Sequence, residues 1–594
     1  MEFARGIAAI FVSGWRASPG RMAVYSAVIL VNYVSLPLSP LALKYVTDAV
    51  VAGDVRGATY AAAALSLVAL IAHTGKQIGH VVRVELSDLH AIRVAEELAI
   101  LSQSPRGLEH HERPDYADRL ELMRNEGNPL YVAVQLALEA VAHTLQFAIT
   151  VALLVLLQPL LLLLLLFALP PLLAERWAAR REEAVRLACA DRFRRAQHLL
   201  DLAVRQDAAK EIRVFGLQDE LARRLDELRR EVRRRAFRVE LQGVAALSAA
   251  QLVFALGFVA AIVLVVRGAI AGRQSVGDVV LVVTLATQVN NLVFRTVGLA
   301  QWLRRAAAAM TRLAWMRNLV RELYPTERAD APVPAILRQG IRFEGVGFRY
   351  PGTDTGVLHD VDLDLPAGTT VALVGENGAG KTTLVKLLCG FYTPTWGRIT
   401  VDGVDLDRLP IEDWRKRIAA GFQDFVRLEL LARESVGVGD LAAIEEPEAV
   451  LDALERADAR DLVERLASGL ETHLGKSYTD GAELSGGQWQ KIALSRAMMR
   501  TAPLLLILDE PTSALDAHAE HVLFERYAES ARAVARATGG IAIFVSHRFS
   551  TVRMADWIVV VDGGRIAEQG THDELVALGG TYAELFALQA AAYS

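Results

Sequence analysis

Three short runs in the C-terminal half carry the residue types that polyphosphate chemistry needs. The first, Gly375-Glu376-Asn377-Gly378-Ala379-Gly380-Lys381-Thr382-Thr383, fits the spacing G-x-x-x-x-G-K-[ST]. Its glycines let backbone N–H groups close around phosphate oxygens, an approach that side chains would forbid. Lys381 is expected to reach the β- and γ-phosphates, and Thr382 to place its hydroxyl on Mg²⁺. Gly375, Asn377, Gly378, Gly380 and Thr383 complete the expected cradle. The second run, Leu504 to Leu508, is continuously apolar and ends in Asp509-Glu510. The third, Leu484-Ser485-Gly486-Gly487-Gln488, opens a helical stretch over 488–499. Ser485 and the glycine N–H groups there can donate to phosphate oxygens, with the helix N-terminus behind them. Phosphoryl transfer asks mainly for positioning and charge stabilisation, so one base and one metal suffice.

These runs need elements to hold them. Val371 to Val374 reads as a buried strand that feeds the glycine loop, and Thr382 to Leu388 as the helix after it. The spacing predicts an α/β nucleotide domain over 341–594. Pro325, Pro332 and Pro334 interrupt any helix just before it, which predicts a linker over 325–340. The 594 residues are too many for one core, and 53% of them are hydrophobic. A net charge of -5 gives no global pull toward nucleic acid. Two cysteines, Cys189 and Cys389, exclude a disulfide framework and suit a reducing compartment.

Residues 1–324 read as an α-helical membrane domain with six transmembrane helices. A span needs about 20 apolar residues. Candidates run from about Met22 to Leu43, with Pro37 and Pro40 expected to kink it, and from Ala58 to Gln77. Two more share Glu139 to Leu173, with a turn expected at Gln158-Pro159; the last two are Ala245 to Val266 and Asp278 to Val297. Residues 1–20 read as an amphipathic interfacial helix, with no cleavable signal peptide expected. The 18 Lys and Arg between Arg176 and Arg238 orient the chain, placing both termini and the nucleotide domain in the cytoplasm. Two long helical loops, about 78–138 and 174–244, extend the spans inward. Arg and Ala richness points to a bacterial source, hence the bacterial plasma membrane.

The run at 484–488, flanked by the other two motifs, resembles the signature of the ATP-binding cassette (ABC) superfamily. The six-span layout resembles the type IV, exporter-type half-transporters of that family, with fused transmembrane and nucleotide-binding domains. The resemblance implies ATP and Mg²⁺ as cofactors. It implies that Asp509 holds the metal and that Glu510 is the general base. Tyr350 is implied to stack on adenine, Gln423 to touch Mg²⁺, and His547 to act as a switch on the γ-phosphate. Asp516 lies in a loop implied to cross to a second protomer, whose nucleotide is covered by Ser485, Gly486, Gly487 and Gln488. The runs Glu112 to Leu120 and Lys210 to Gly216 resemble the two coupling segments that dock on nucleotide domains. The residues before the signature, Gly475 to Glu483, depart from the acidic, glycine-rich run of many exporters.

A homodimer is the simplest assembly because both half-sites are intact in this chain, and a heterodimer stays open. Two polar stripes at helical spacing mark a candidate cargo path: Gln135, Glu139, His143, Gln146 and Thr150, and Thr284, Thr287, Gln288, Asn291 and Arg295. The same stripes could equally bond helix to helix. Gln288 and Asn291 are expected to face the cavity. The implied function is ATP-driven export of an amphipathic drug, peptide or lipid by alternating access. Import by the same fold, for example of siderophores, and an ATP-gated channel or regulator are the alternatives.

Overall fold

The computed structural model describes residues 2–103, 105–125, 130–157, 159–205, 208–324, 329–510, 517–546, 552–553 and 555–592. The chain divides into two compact units, 1–100 with 120–315, and 101–119 with 316–594.

In the first unit, an amphipathic helix α1 (Glu2–Ala17) precedes six helices long and apolar enough to cross a membrane. These are α2 (Pro19–Val51), α3 (Val55–Gln103), α4 (Ala133–Leu157), a segmented fourth over Pro159–Arg186, α6 (Gln218–Ile270) and α7 (Val276–Leu323). The fourth includes α5 (Leu169–Ala188). All six spans match the apolar stretches of the sequence. Helix α2 runs through both Pro37 and Pro40. The expected turn falls on Gln158, outside the described residues, between the end of α4 and Pro159. Helices α3, α6 and α7 far exceed a bilayer's thickness, because their polar continuations keep helical sequence beyond the apolar part. Leu154, Leu161, Phe254, Val265, Leu285 and Val289 form one buried cluster. At one end of the bundle, Asp48 accepts bonds from Ser275 Oγ and Gly277 N, both at 2.8 Å. Lys44 pairs with Asp278 beside it, at 2.5 Å.

The second unit holds two sheets. Strands β1 (Gly340–Phe348), β2 (Leu358–Pro366), β4 (Trp396–Val401) and β5 (Val404–Asp405) form an antiparallel sheet in the order β2-β1-β4-β5. The larger sheet has the order β10-β9-β3-β8-β7-β6. It contains β3 (Thr370–Val374), β6 (Ile418–Gly421), β7 (Leu505–Asp509), β8 (Ile541–Val545), β9 (Trp557–Asp562) and β10 (Arg565–Gly570). Its inner pairs are parallel and only β10 runs against β9. Every residue of β3, β7 and β8 is buried, as expected of parallel strands covered on both faces.

Residues 101–119 belong to this unit because they are bonded into it. Leu108 N–H donates to Phe391 O at 3.1 Å, and Leu108 packs on the sheet core. The Arg415 guanidinium donates to the carbonyls of Arg106, Gly390 and Cys389. Tyr392 Oη donates to Glu112 Oε1. Gly107 permits this approach: a Cβ there would lie 2.6 Å from Phe391 O and 3.0 Å from the Tyr324 ring. Gly107→Val should therefore release the segment. Amide exchange of residues 108–112 should rise about tenfold or more, while exchange in β3 and β7 stays unchanged.

Candidate functional site

The loop after β3 is shaped by its glycines. Gly375 has φ 152 and Gly380 has φ 111. A Cβ at Gly375 would meet the Val561 carbonyl, so no other residue fits. Gly380 caps helix α8 (Lys381–Leu388), whose first amides face the loop. Lys381 Nζ donates to the carbonyls of Gly375 and Glu376, 2.8 Å each, which curls its stem over the loop. Burial pushes its pKa down, against the pull of Glu510 and Asp509.

A cavity of 950 Å³ opens over this loop. Of the residues singled out in the sequence, Gly375, Asn377, Gly378, Gly380, Lys381, Thr382, Thr383, Tyr350, Gln423, Asp509 and Glu510 line it. Asp509 ends β7 and is 3% exposed. Burial first, then the charges of Glu510 and Asp424, raise its carboxyl to about 6. Glu510 follows at φ 46, a left-handed backbone that few side chains adopt. Its N–H donates to Val545 O at 2.9 Å, and its Oε2 accepts from Gln423 Nε2 at 2.7 Å. The strained turn thus aims the carboxylate into the cavity, and the glutamine fixes one of its oxygens. Thr382, Gln423 and Asp509 offer the oxygen ligands that suit Mg²⁺. The loop, closed to a Cβ at Gly375 and Gly380, the buried lysine and this oxygen set fit a magnesium nucleotide.

At the rim, Tyr350 Oη sits 3.1 Å from Thr383 Oγ1. Its ring meets Phe348 and Tyr392 edge-on at 4.9 and 5.4 Å between centroids. Lys386 Nζ lies 5.2 Å from the Tyr350 ring and 5.9 Å from that of Tyr392. Sequence reasoning missed this cluster and its continuation to Glu112, because no motif joins residues so far apart. It also missed Asp424, the residue after Gln423, and Gln490, whose amide donates to Glu510 O at 3.4 Å.

The signature residues stand apart from the cavity. Ser485 caps α9 (Gly486–Met498), its hydroxyl accepting from Gln488 N–H while Gln488 Oε1 accepts from Ser485 N–H. That leaves the hydroxyl proton of Ser485 to donate outward. A Cβ on Gly486 would meet nothing within 4 Å, so packing within this chain does not demand glycine there. None of residues 485–488 is among those lining the cavity. His547 and Asp516, and the rest of the 513–516 loop, lie outside the described residues. The run before the signature holds itself together: Ser477 bonds Glu429, Lys476 pairs with Glu483 at 2.7 Å, and Tyr478 stacks on His473.

In the membrane unit the polar stripes divide. Gln135, Glu139 and Arg295 line a 610 Å³ cavity with Tyr33, Lys76 and Arg83. His143 instead bonds Leu292 O and Thr296 across to α7, and Gln146 and Thr150 are buried. Gln288 corrects the sequence reading. Its amide donates to Leu36 O of α2 at 2.9 Å, so it ties helix to helix rather than facing the cavity. Asn291 is exposed. Helical spacing sets a face, and the neighbour opposite decides what that face does.

The raised carboxyl of Asp509 makes stability depend on pH. Its folded-state pKa lies above the usual 3.8, so ionisation is the unfavourable state. The penalty is absent below about pH 4 and complete above about pH 6. Asp509→Asn should therefore stabilise the nucleotide-free protein at neutral pH by on the order of 2 kcal/mol, read as thermal unfolding. That gain should vanish as pH falls toward about 4.

The ABC transporter family profile matches residues 358–513. An ATP-dependent lipid A-core flippase of Chromobacterium violaceum is 35% identical over 394 residues, covering 66% of this chain and 65% of that protein. The chain thus spans just under two thirds of that relative's length. The nisin transport ATP-binding protein of Lactococcus lactis subsp. lactis is 37% identical over 246 residues, 41% of this chain and 40% of that one. A solved bacterial Atm1-family ABC exporter with ATP bound superposes with a TM-score of 0.76 at 25% identity, covering 97% of this chain and 99% of its own. The glycine cradle, the carboxylates ending β7, the signature helix and six apolar helices all agree with these likenesses. Residues 358–513 thus form an ABC transporter nucleotide-binding domain, joined in one polypeptide to six helices long and apolar enough to cross a membrane, and the chain is similar over nearly its whole length to an Atm1-family ABC exporter.

Proposed function

We propose that this chain is an ATP-driven exporter of an amphipathic cargo, working as a homodimer in a bacterial inner membrane. One observation carries the reading. The chain holds a complete phosphate cradle with its carboxylates, and a capped signature helix, yet the signature does not line the cradle. A second copy supplies what one copy lacks. In the closed dimer, Lys381 holds the β- and γ-phosphates of ATP, and Ser485 of the other copy donates to the γ-phosphate. Asp509, Thr382 and Gln423 would hold Mg²⁺, which would supply charge to offset that of the phosphates. Glu510, oriented by Gln423, takes a proton from the attacking water. By resemblance, His547 contacts the γ-phosphate and Asp516 crosses the dimer.

Two features support coupling to the membrane half. Residues 101–119 are bonded to the nucleotide unit. The second tip, Ala209–Val214 with Phe215, presents Val214 and Phe215 at 79% and 67% exposure, apolar surface suited to docking on the other copy. The basic stretch 176–238 supports a cytoplasmic nucleotide domain. The relatives named for lipid and peptide transport support an amphipathic cargo.

Inside-out vesicles should accumulate cargo with ATP, and Glu510→Gln should lower hydrolysis and uptake about a hundredfold or more. Uptake into right-side-out vesicles would instead mean import, and ion conductance without accumulation would mean a channel. Lys381→Ala and Ser485→Arg should each abolish hydrolysis alone. Mixed dimers of the two should recover part of it, because one composite site is then intact. No recovery would rule out shared sites between identical copies.

A further inference from the structure

A second cavity of the membrane unit, of 560 Å³, lies between α5 and α7 and is walled by arginines. Arg176 and Arg180 come from α5; Arg304, Arg305 and Arg312 come from α7. Among the described residues, Arg176, Arg180 and Arg304 make no ion pair with a carboxylate. Arg305 lies over the Trp302 ring, 5.5 Å from its centre. Two carboxylates also reach the cavity: Glu182, and Glu183, which Arg186 holds at 2.8 Å. Positive charge therefore remains in large excess. A solvated basic stretch would spread its cations along one helix, away from one another. Here two helices distant in sequence turn theirs into one concavity, where like charges repel and the local potential rises. Such a cluster is offset when an anion with several oxygens enters. Guanidinium forks from opposite walls match a phosphate group, which accepts paired N–H bonds from more than one side.

The surroundings indicate where that phosphate comes from. Toward the apolar end of the same span, Leu166, Leu169 and Leu173 precede Arg176 and Arg180 at spacings of three or four. They are 59%, 44% and 60% exposed. A row of leucines thus runs down to the arginines along the fourth span. Trp177 lies 5.3 Å from the Arg181 guanidinium and Trp302 5.5 Å from that of Arg305, and tryptophan is a residue enriched at membrane boundaries.

We propose that this cavity binds the phosphate headgroup of an amphipathic molecule, with its apolar chains lying along the leucine row. The site is distinct from the cavity lined by Glu139 and Arg295. The proposal goes beyond the export reading by naming the ligand's chemical class, and it rests on that reading only for the view that such a ligand is cargo.

Native mass spectrometry of the full chain in phosphatidylcholine nanodiscs, with phosphatidic acid added and no ATP present, tests it. Phosphatidic acid should bind. Arg176→Gln with Arg304→Gln should weaken that binding about tenfold or more, while Arg229→Gln with Arg234→Gln, outside the cavity lining, should leave it unchanged. Should the first pair fail to fold, Arg176→Lys with Arg304→Lys keeps the charge, removes the forks, and should still weaken binding. Equal effects of the two Gln pairs, or none from either, would overturn the site. Inorganic phosphate binding as tightly as phosphatidic acid would overturn the lipid source. Because binding is read without ATP, a negative result leaves ATP-driven export standing, and a failure of vesicle uptake leaves this site standing.

Discussion

Two carboxylates side by side at the end of a strand buried on both faces are the constraint around which the nucleotide unit is arranged. Asp509 and Glu510 repel each other, and Asp509 is buried where water screens its charge poorly. The fold answers with Lys381 on one side and the Gln423 amide on the other. It also places Glu510 in a left-handed turn, at some conformational cost. That strain is tolerated because Val545, in the neighbouring parallel strand, accepts the Glu510 N–H and pins the turn. The glycine loop supplies the remaining compensation as backbone N–H groups, which bring positive potential without adding a titrating group.

The same electrostatic logic makes the single chain incomplete. The signature helix already satisfies its first amides through the reciprocal cap of Ser485 and Gln488, so the chain is stable without anything at that end. Its smallest residue, Gly486, nevertheless faces open space. A sequence selected only for the folded monomer would have little reason to keep glycine at a helix start, where it weakens the helix.

Much of this was legible in the sequence because it is local. The Walker-type runs state their own elements: an apolar strand, a glycine loop, a helix, and a strand ending in acid. The six spans were legible for the same reason, since apolar length is a local quantity. What stayed hidden depends on distant partners. Gln288, expected to face the cavity, donates instead to Leu36 O, and His143, whose stripe allowed either role, bonds Leu292 and Thr296. The resemblance implied that 112–120 docks on a nucleotide domain, but it gave neither the contacts nor the part played by 106–108. The partners Tyr392 and Arg415 lie far along the chain, and neither belongs to a motif. Gly107 was equally silent, since one glycine in a polar stretch has many possible reasons.

The placement of residues 101–119 has a mechanical consequence. The chain passes between its two compact units three times, at Ile100 to Leu101, Arg119 to Leu120 and Trp315 to Met316. Each passage falls inside a helix: α3, the helix Pro114–Asn125, and α7. The backbone hydrogen bonding of a helix therefore runs on through all three changes of unit, and no loop marks any of them.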